Sequence, residues 1–298
     1  MTWIIYLMCL IALVIAGVTV TIAVRHRRLE DANSMDQTLG ACQSLLKLTN
    51  HLQQHRGMST AWLAGDKGFK PRLDAKGGEI EIVIPELRDV ARTEGSKPHP
   101  CFTLNELGLF QFNWATLKEK LPTLSVEQSI AQHSFLIDQL LNWLAAIGES
   151  RVETLVDERA GRALVRNYTI RLPALTECLG QARALGMSVA TRRGCSAVTR
   201  VRLMFLVARA EALLNQALEA GGHGQQAEKT MLAVQQMARV IRTRMLLSSG
   251  VTVAAQGYFE LASTAIDQVF AWIADSGVLL RQSAAQQGNH AAVEVRHA

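Results

Sequence analysis

The chain has little that would interrupt or cross-link a fold. Six prolines and 16 aromatic residues are spread over 298 positions, a balance that leaves long helices unbroken and argues against an aromatic-rich β architecture. The one run with strand propensity, Ile80-Glu81-Ile82-Val83-Ile84, has no partner strand and reads as helix or irregular. Five cysteines, Cys9, Cys42, Cys101, Cys178 and Cys195, form no CxxC pair and no metal-like grouping. They exclude a disulfide framework and read as small apolar fillers in a reducing compartment. No nucleophile, base and orienting group can be assembled, so the chain is not read as an enzyme and implies no cofactor. Gly221-Gly222-His223-Gly224 neither follows a strand nor has a phosphate-binding spacing, and is a loop. Excess charge is also small. The formal net charge is +5, and Arg25, Arg27 and Arg28 supply three of it, leaving +2 for the rest, which is no nucleic-acid footprint.

Helix-forming material fills the space. Hydrophobic residues make up 49% of the chain, with Leu, Ala, Gln and Arg recurrent, enough for one large or two modest domains with real cores. Trp3 to Val24 carries no charge, and as a helix it would extend about 33 Å, the thickness of a bilayer core. No Lys or Arg precedes it, and Arg25-His26-Arg27-Arg28 follows directly. By the positive-inside rule the amino terminus faces out, and everything from Arg25 onward is cytoplasmic, anchored to the inner membrane by a single pass.

A first long helix is expected from about Leu29 through Gly65, followed by a stretch that Gly77-Gly78 and Pro85 interrupt. Residues 92–101 form the clearest loop. Thr103 with Glu106, Ser125 with Gln128, and Ser150 with Glu153 are spaced as capping boxes, while Pro122 and Gly148 stand where the first two of those helices stop. Pro173 suits the first turn of another helix, Gly194 its end, Gly221-Gly222 the end of the next, and Gly250 the approach to the last. The pattern predicts about eight helices. The last is amphipathic, with Phe259, Ala262, Ile266, Val269, Phe270 and Ile273 on one face. Beyond it, residues 283–298 are polar and read as a disordered tail.

One stretch carries the chemistry. On a helix, Leu45, Leu48, Leu52, Ser59 and Leu63 fall in a stripe about 60° wide, with Arg56 at its edge. A permanent cation is thereby aimed at the core. It needs a carboxylate from the protein, an escape route for its stem, or an anion from solution. A fainter echo follows, in which Gln54-His55-Arg56-Gly57-Met58-Ser59 is answered by residues 181–188, with Arg183 again four residues after a leucine, Leu179.

Gln53-Gln54-His55-Arg56-Gly57-Met58-Ser59, followed by Leu63 and Gly65, resembles the signature helix of the bacterial nitrate- and nitrite-sensing (NIT) domain, which usually carries an acidic residue where His55 stands. Leu172 through Gly186 and Tyr258 through Asp267 resemble later parts of the same helical sensory region, so the likeness spans roughly residues 40 to 282. It implies a buried small-anion site lined by arginines of different helices, with Arg56 on the motif position, Arg183 as its second arginine, and Gly57 and Ser59 beside them. Nitrate is planar and trigonal, matching the two-pronged donor face of guanidinium.

Bland readings stand beside these. Each arginine can instead pair with an acid of a neighbouring helix. His51 and His55 have the spacing of a helical zinc pair but lack a third ligand and read as a solvated face. Tyr168 and Tyr258 can donate to an anion or close a core edge. Arg192, Arg193, Arg200, Arg202 and Arg209 can meet anionic lipid, an acidic partner or solvent.

The sequence therefore predicts an all-α protein: an anchor and basic flank (1–28), an all-helical sensory domain of two four-helix-type bundles in series (29–282) and a tail (283–298). Its expected partners are nitrate or nitrite, the lipid bilayer, a separate output protein and a second copy of itself in a homodimer, with no nucleic acid and no metal. No kinase, cyclase, methyl-accepting or RNA-binding segment follows residue 282, so output is expected to pass through a partner. The competing expectation is a membrane-tethered helical scaffold without ligand, and a carboxylate bonded to Arg56 is its mark.

Overall fold

Scarce proline has a direct consequence: the first helix runs unbroken for 62 residues, α1 (Thr2–Leu63). The expected start at Leu29 is not a boundary, since nothing between the apolar run and that residue breaks a helix. The computed structural model describes residues 2–156, 159–221, 223–246 and 250–294, with the side chains at 2, 4–16, 21, 24–32 and 284–294 outside that description. Among the described residues no helix is long and apolar enough to cross a membrane, and most side chains of the expected span Trp3–Val24 lie outside them. The expected tail likewise falls almost wholly outside the described side chains.

After α1 come α2 (Lys70–Val83), α3 (Glu86–Gly95), α4 (Leu104–Lys120), α5 (Val126–Ile147), α6 (Arg159–Arg166), α7 (Leu172–Arg192), α8 (Ala197–Glu219), α9 (Gln225–Val240) and α10 (Ala255–Glu294), with no strand among the described residues. The all-α expectation holds, with ten α-helices among the described residues against the expected eight. Gly77 and Gly78 do not interrupt α2, because Leu73, Gly77, Ile80 and Val83 form its buried face and burial outweighs the roughly 1 kcal/mol propensity cost of a helical glycine. The break falls at Pro85, between α2 and α3.

The capping boxes Thr103/Glu106 and Ser125/Gln128 form as expected. The third does not. α5 passes into a π turn, Gly148–Val152, that encloses Ser150. Gly148 is needed there for close approach, since a Cβ would stand 2.2 Å from Thr169 Oγ1. α7 ends on Arg193 in the left-handed conformation (φ 52°), with Gly194 N–H reaching back to Val189 O, so the left-handed residue comes one position before the expected glycine.

α1 packs against α2, α5, α7 and α10, and α7 also meets α5, α8 and α10. α10 runs antiparallel to both of its long neighbours. Its Tyr258 donates to Ala182 O on α7, its Phe259 ring lies 5.7 Å from Phe69 just beyond α1, and its Arg281 reaches back to Asp36 of α1 at 3.0 Å. Its buried face comprises Tyr258, Phe259, Ala262, Ala265, Ile266, Val269, Trp272 and Ile273, whereas Phe270, expected in that face, is only half-buried.

Candidate functional site

Arg56 and Arg183 meet where α1 crosses α7. Small residues allow the approach, and they do so reciprocally. A Cβ on Gly57 would stand 3.3 Å from Arg183 Nε, and one on Gly180 would stand 2.6 Å from Arg56 Nη2, so each arginine lies over the other helix's glycine.

The two guanidinium groups are equally buried and differently partnered. Arg56 is fully buried and grips Glu177 with both prongs, Nη1 to Oε1 at 2.6 Å and Nη2 to Oε2 at 3.0 Å, while Nη1 also donates to Ser134 Oγ of α5 at 2.8 Å. Gln53 Nε2 donates to Glu177 Oε2 and Thr176 Oγ1, both at 3.2 Å, and Gln181 Nε2 donates to Glu177 Oε1 at 2.7 Å. Arg183, 2% exposed, has neutral partners. Nη1 donates to Ser263 Oγ at 3.0 Å, Nη2 donates to Gln53 O at 2.9 Å, and the Phe259 ring lies 5.4 Å from its central carbon. Among the described residues no carboxylate stands within ion-pairing distance of it. Burial first, and then the charge of Arg56, lower its pKa to about 10. Arg56 Nε and Arg183 Nε are buried donors without an acceptor among the described residues.

Such a centre holds two permanent cations and one tightly held anion. Arg183 has no ion pair among the described residues, and the charge of Asp267 only partly offsets its burial; a small oxyanion accepting from guanidinium N–H groups has the chemistry to do the rest.

The expected residues thus separate. Arg56, Arg183 and Gly57 come together. Ser59 does not join them, because its hydroxyl is committed to its own helix, donating to His55 O at 2.7 Å, and Ser134 supplies the hydroxyl at Arg56 instead. Arg56 also has the carboxylate expected of the scaffold reading, and Arg183 does not. Of the tyrosines, Tyr258 donates to backbone and Tyr168 Oη is buried without a hydrogen-bond partner among the described residues. Glu177 is the residue that sequence reasoning passed over. It is the one acid in the otherwise apolar or small run Leu172–Gly180, the mirror of an arginine in a leucine stripe, and that symmetry was a readable signal.

His55 is not solvated. It is 2% exposed, and its Nδ1 lies 2.7 Å from Nε2 of the fully buried His133 on α5. His133 Nδ1 lies 2.7 Å from Ser129 O, an acceptor only, so it carries the proton, and the bond between the rings runs from His55 Nδ1–H to His133 Nε2. Burial holds both imidazoles far below their ordinary pKa, His55 at about 3, and both are therefore neutral. His51, one turn earlier, pairs with Glu79 at 3.2 Å and stands apart from them.

A stack of helices with two arginines buried at one crossing defines the class: an all-α protein with a cationic centre inside it. The chain belongs to the nitrate and nitrite sensing (NIT) family, whose model matches residues 47–276. Among solved structures it is similar to that titled "Structure of the NasR transcription antiterminator", at 20% identity and a TM-score of 0.62, covering 90% of this chain and 74% of that one. At that identity the likeness concerns the fold. No curated protein sequence matches.

Proposed function

We propose that the chain is a membrane-anchored sensor in which nitrate or nitrite binds at Arg183 and Arg56 and shifts the packing of α1 against α7. The carrying observation is Arg183, a buried guanidinium hydrogen-bonded to neutral groups among the described residues, beside Arg56 in a chain of the nitrate- and nitrite-sensing family. An anion that neutralises cations of two helices favours the arrangement that brings them together. In this reading residues 1–28 are the anchor and basic flank in the inner membrane, residues 29–282 form two helical bundles facing the cytoplasm with the site at their junction, and 283–298 form the tail. The role is sensory rather than catalytic. Output passes to a separate protein or to a second copy of the chain, without nucleic acid, even though the similar NasR is titled a transcription antiterminator.

A second reading, a tethered scaffold without ligand, is favoured by the bidentate Arg56–Glu177 pair, which satisfies one arginine internally.

Thermal unfolding of the full chain in detergent separates the two. Nitrate or nitrite, against chloride at equal ionic strength, should raise the melting temperature, since a ligand of the folded state alone stabilises by RT ln(1 + [L]/Kd), about 2.7 kcal/mol at 100-fold excess over Kd. Arg183→Met should abolish the rise, and Arg183→Lys should weaken it because a point charge lacks the fork. No rise with either anion in the parent would leave the scaffold.

A further inference from the structure

We infer that Glu177 is a built-in competitor for the anion, holding Arg56 in the ligand-free state and yielding it when the ligand binds; this rests on the oxyanion reading above. A carboxylate presents two oxygens in a plane, the same edge that nitrate presents, and Glu177 offers both of them to the end of the Arg56 fork. The pair therefore already has the geometry of an occupied oxyanion site, with the anion tethered to α7.

The carboxylate also has somewhere to go. Glu177 lines the wall of a groove of about 560 Å³ between α5, α7 and α8, together with Gln181, Arg202 and Arg209. Gln181 already donates to Glu177 Oε1 at 2.7 Å from the groove side, and Arg202 and Arg209 are exposed cations facing the same space. Turning Glu177 outward exchanges one set of cationic and amide donors for another, and the buried Arg56 receives the incoming anion in its place. Asp138 on the α5 wall opposes the move. Burial first, and then the charge of Glu177, raise its carboxyl pKa; Arg202 and Arg209 are the charges that offset this repulsion.

Such an exchange makes the affinity of the sensor a difference between two anions on one arginine, and places the event on a surface that a partner can read. Loss of the tethered charge must then strengthen ligand binding, whereas loss of a merely structural residue would weaken it.

The test is calorimetric titration of the full chain in detergent with sodium nitrate. Glu177→Gln, which keeps the acceptor and removes the charge, should bind nitrate at least about tenfold more tightly than the parent. Arg202→Ala/Arg209→Ala should bind about threefold more weakly in the parent background and be without effect in the Glu177→Gln background, where no charge needs a landing place. A general field effect of the two arginines would persist in both. If the parent binds nitrate and Glu177→Gln binds it equally or more weakly, the competitor is overturned and the sensor stands. If neither binds, both readings fall. If Glu177→Gln does not fold, parent-like affinity in the double arginine variant overturns the displacement.

Discussion

A buried guanidinium with a carboxylate and one without, on helices that cross, are different physical objects despite identical chemistry. Removing one partner of the Arg56–Glu177 pair leaves an uncompensated buried charge, whereas removing Arg183 relieves one. The same contrast applies to the histidines beside them. His55 and His133 are neutral in the folded protein because burial disfavours the imidazolium, and in the unfolded chain they titrate near 6.5. Between pH 6.5 and about 3 the unfolded state therefore binds more protons than the folded one. Stability contributed by keeping the pair neutral is complete above pH 6.5 and is lost progressively as pH falls through that window. Urea unfolding at pH 7.5 and pH 5.0 should show a lower midpoint at the acidic value, and the two imidazoles should not titrate in NMR spectra above pH 5.5. An ordinary midpoint near 6.5 for either ring would contradict the buried hydrogen bond between them.

At the level of the helices, glycine positions decide how closely α7 approaches its neighbours. A Cβ on Gly186 would stand 2.3 Å from a ring carbon of Tyr258, a rigid group fully buried on α10, whereas a Cβ on Gly57 would stand 3.3 Å from the side chain of Arg183. Gly186→Ala should cost about 1–3 kcal/mol through overpacking. Gly57→Ala should cost less, because an arginine stem can shift, but it should reduce the thermal response to nitrate by moving Arg183. Equal destabilisation of the two in urea unfolding would show that the α1–α7 crossing is as unyielding as the α7–α10 contact. Much of this level was legible in the sequence. The capping boxes at Thr103 and Ser125, the reading of Ile80–Ile84 as something other than a strand and the placement of Pro173 all follow from local chemistry, as does the burial of Ile266 and Ile273. What escaped was set by partners distant in sequence. Gly148 marks an approach to Thr169 more than a simple stop, Phe270 stands at the margin of a face whose centre is Tyr258 and Val269, and His55 owes its burial to His133, 78 residues away. Arg56 and Glu177 were each legible as a charge set among apolar residues, but that the two solve one another's burial required the fold.

For the molecule as a whole, the proposed anchor makes a prediction about orientation. With Arg25, Arg27 and Arg28 directly after the apolar run, a reporter fused after Ala298 should be active when it requires the cytoplasm and inactive when it requires the periplasm. The reverse pattern would move the anion site to the other side of the membrane. The unbroken course of α1 sets the mechanics on either side. From Arg56 to Arg28 the helix extends about 42 Å at its normal rise, and no proline lies between them to act as a joint. The proposed exchange of anions at Arg56 would have two simple outlets along such a shaft, a turn about its axis or a slide along it. Either motion arrives at the far end undivided, so the amino-terminal segment is as much a candidate output as the surface of α8. In a dimer the two shafts would report one bound ion as torque.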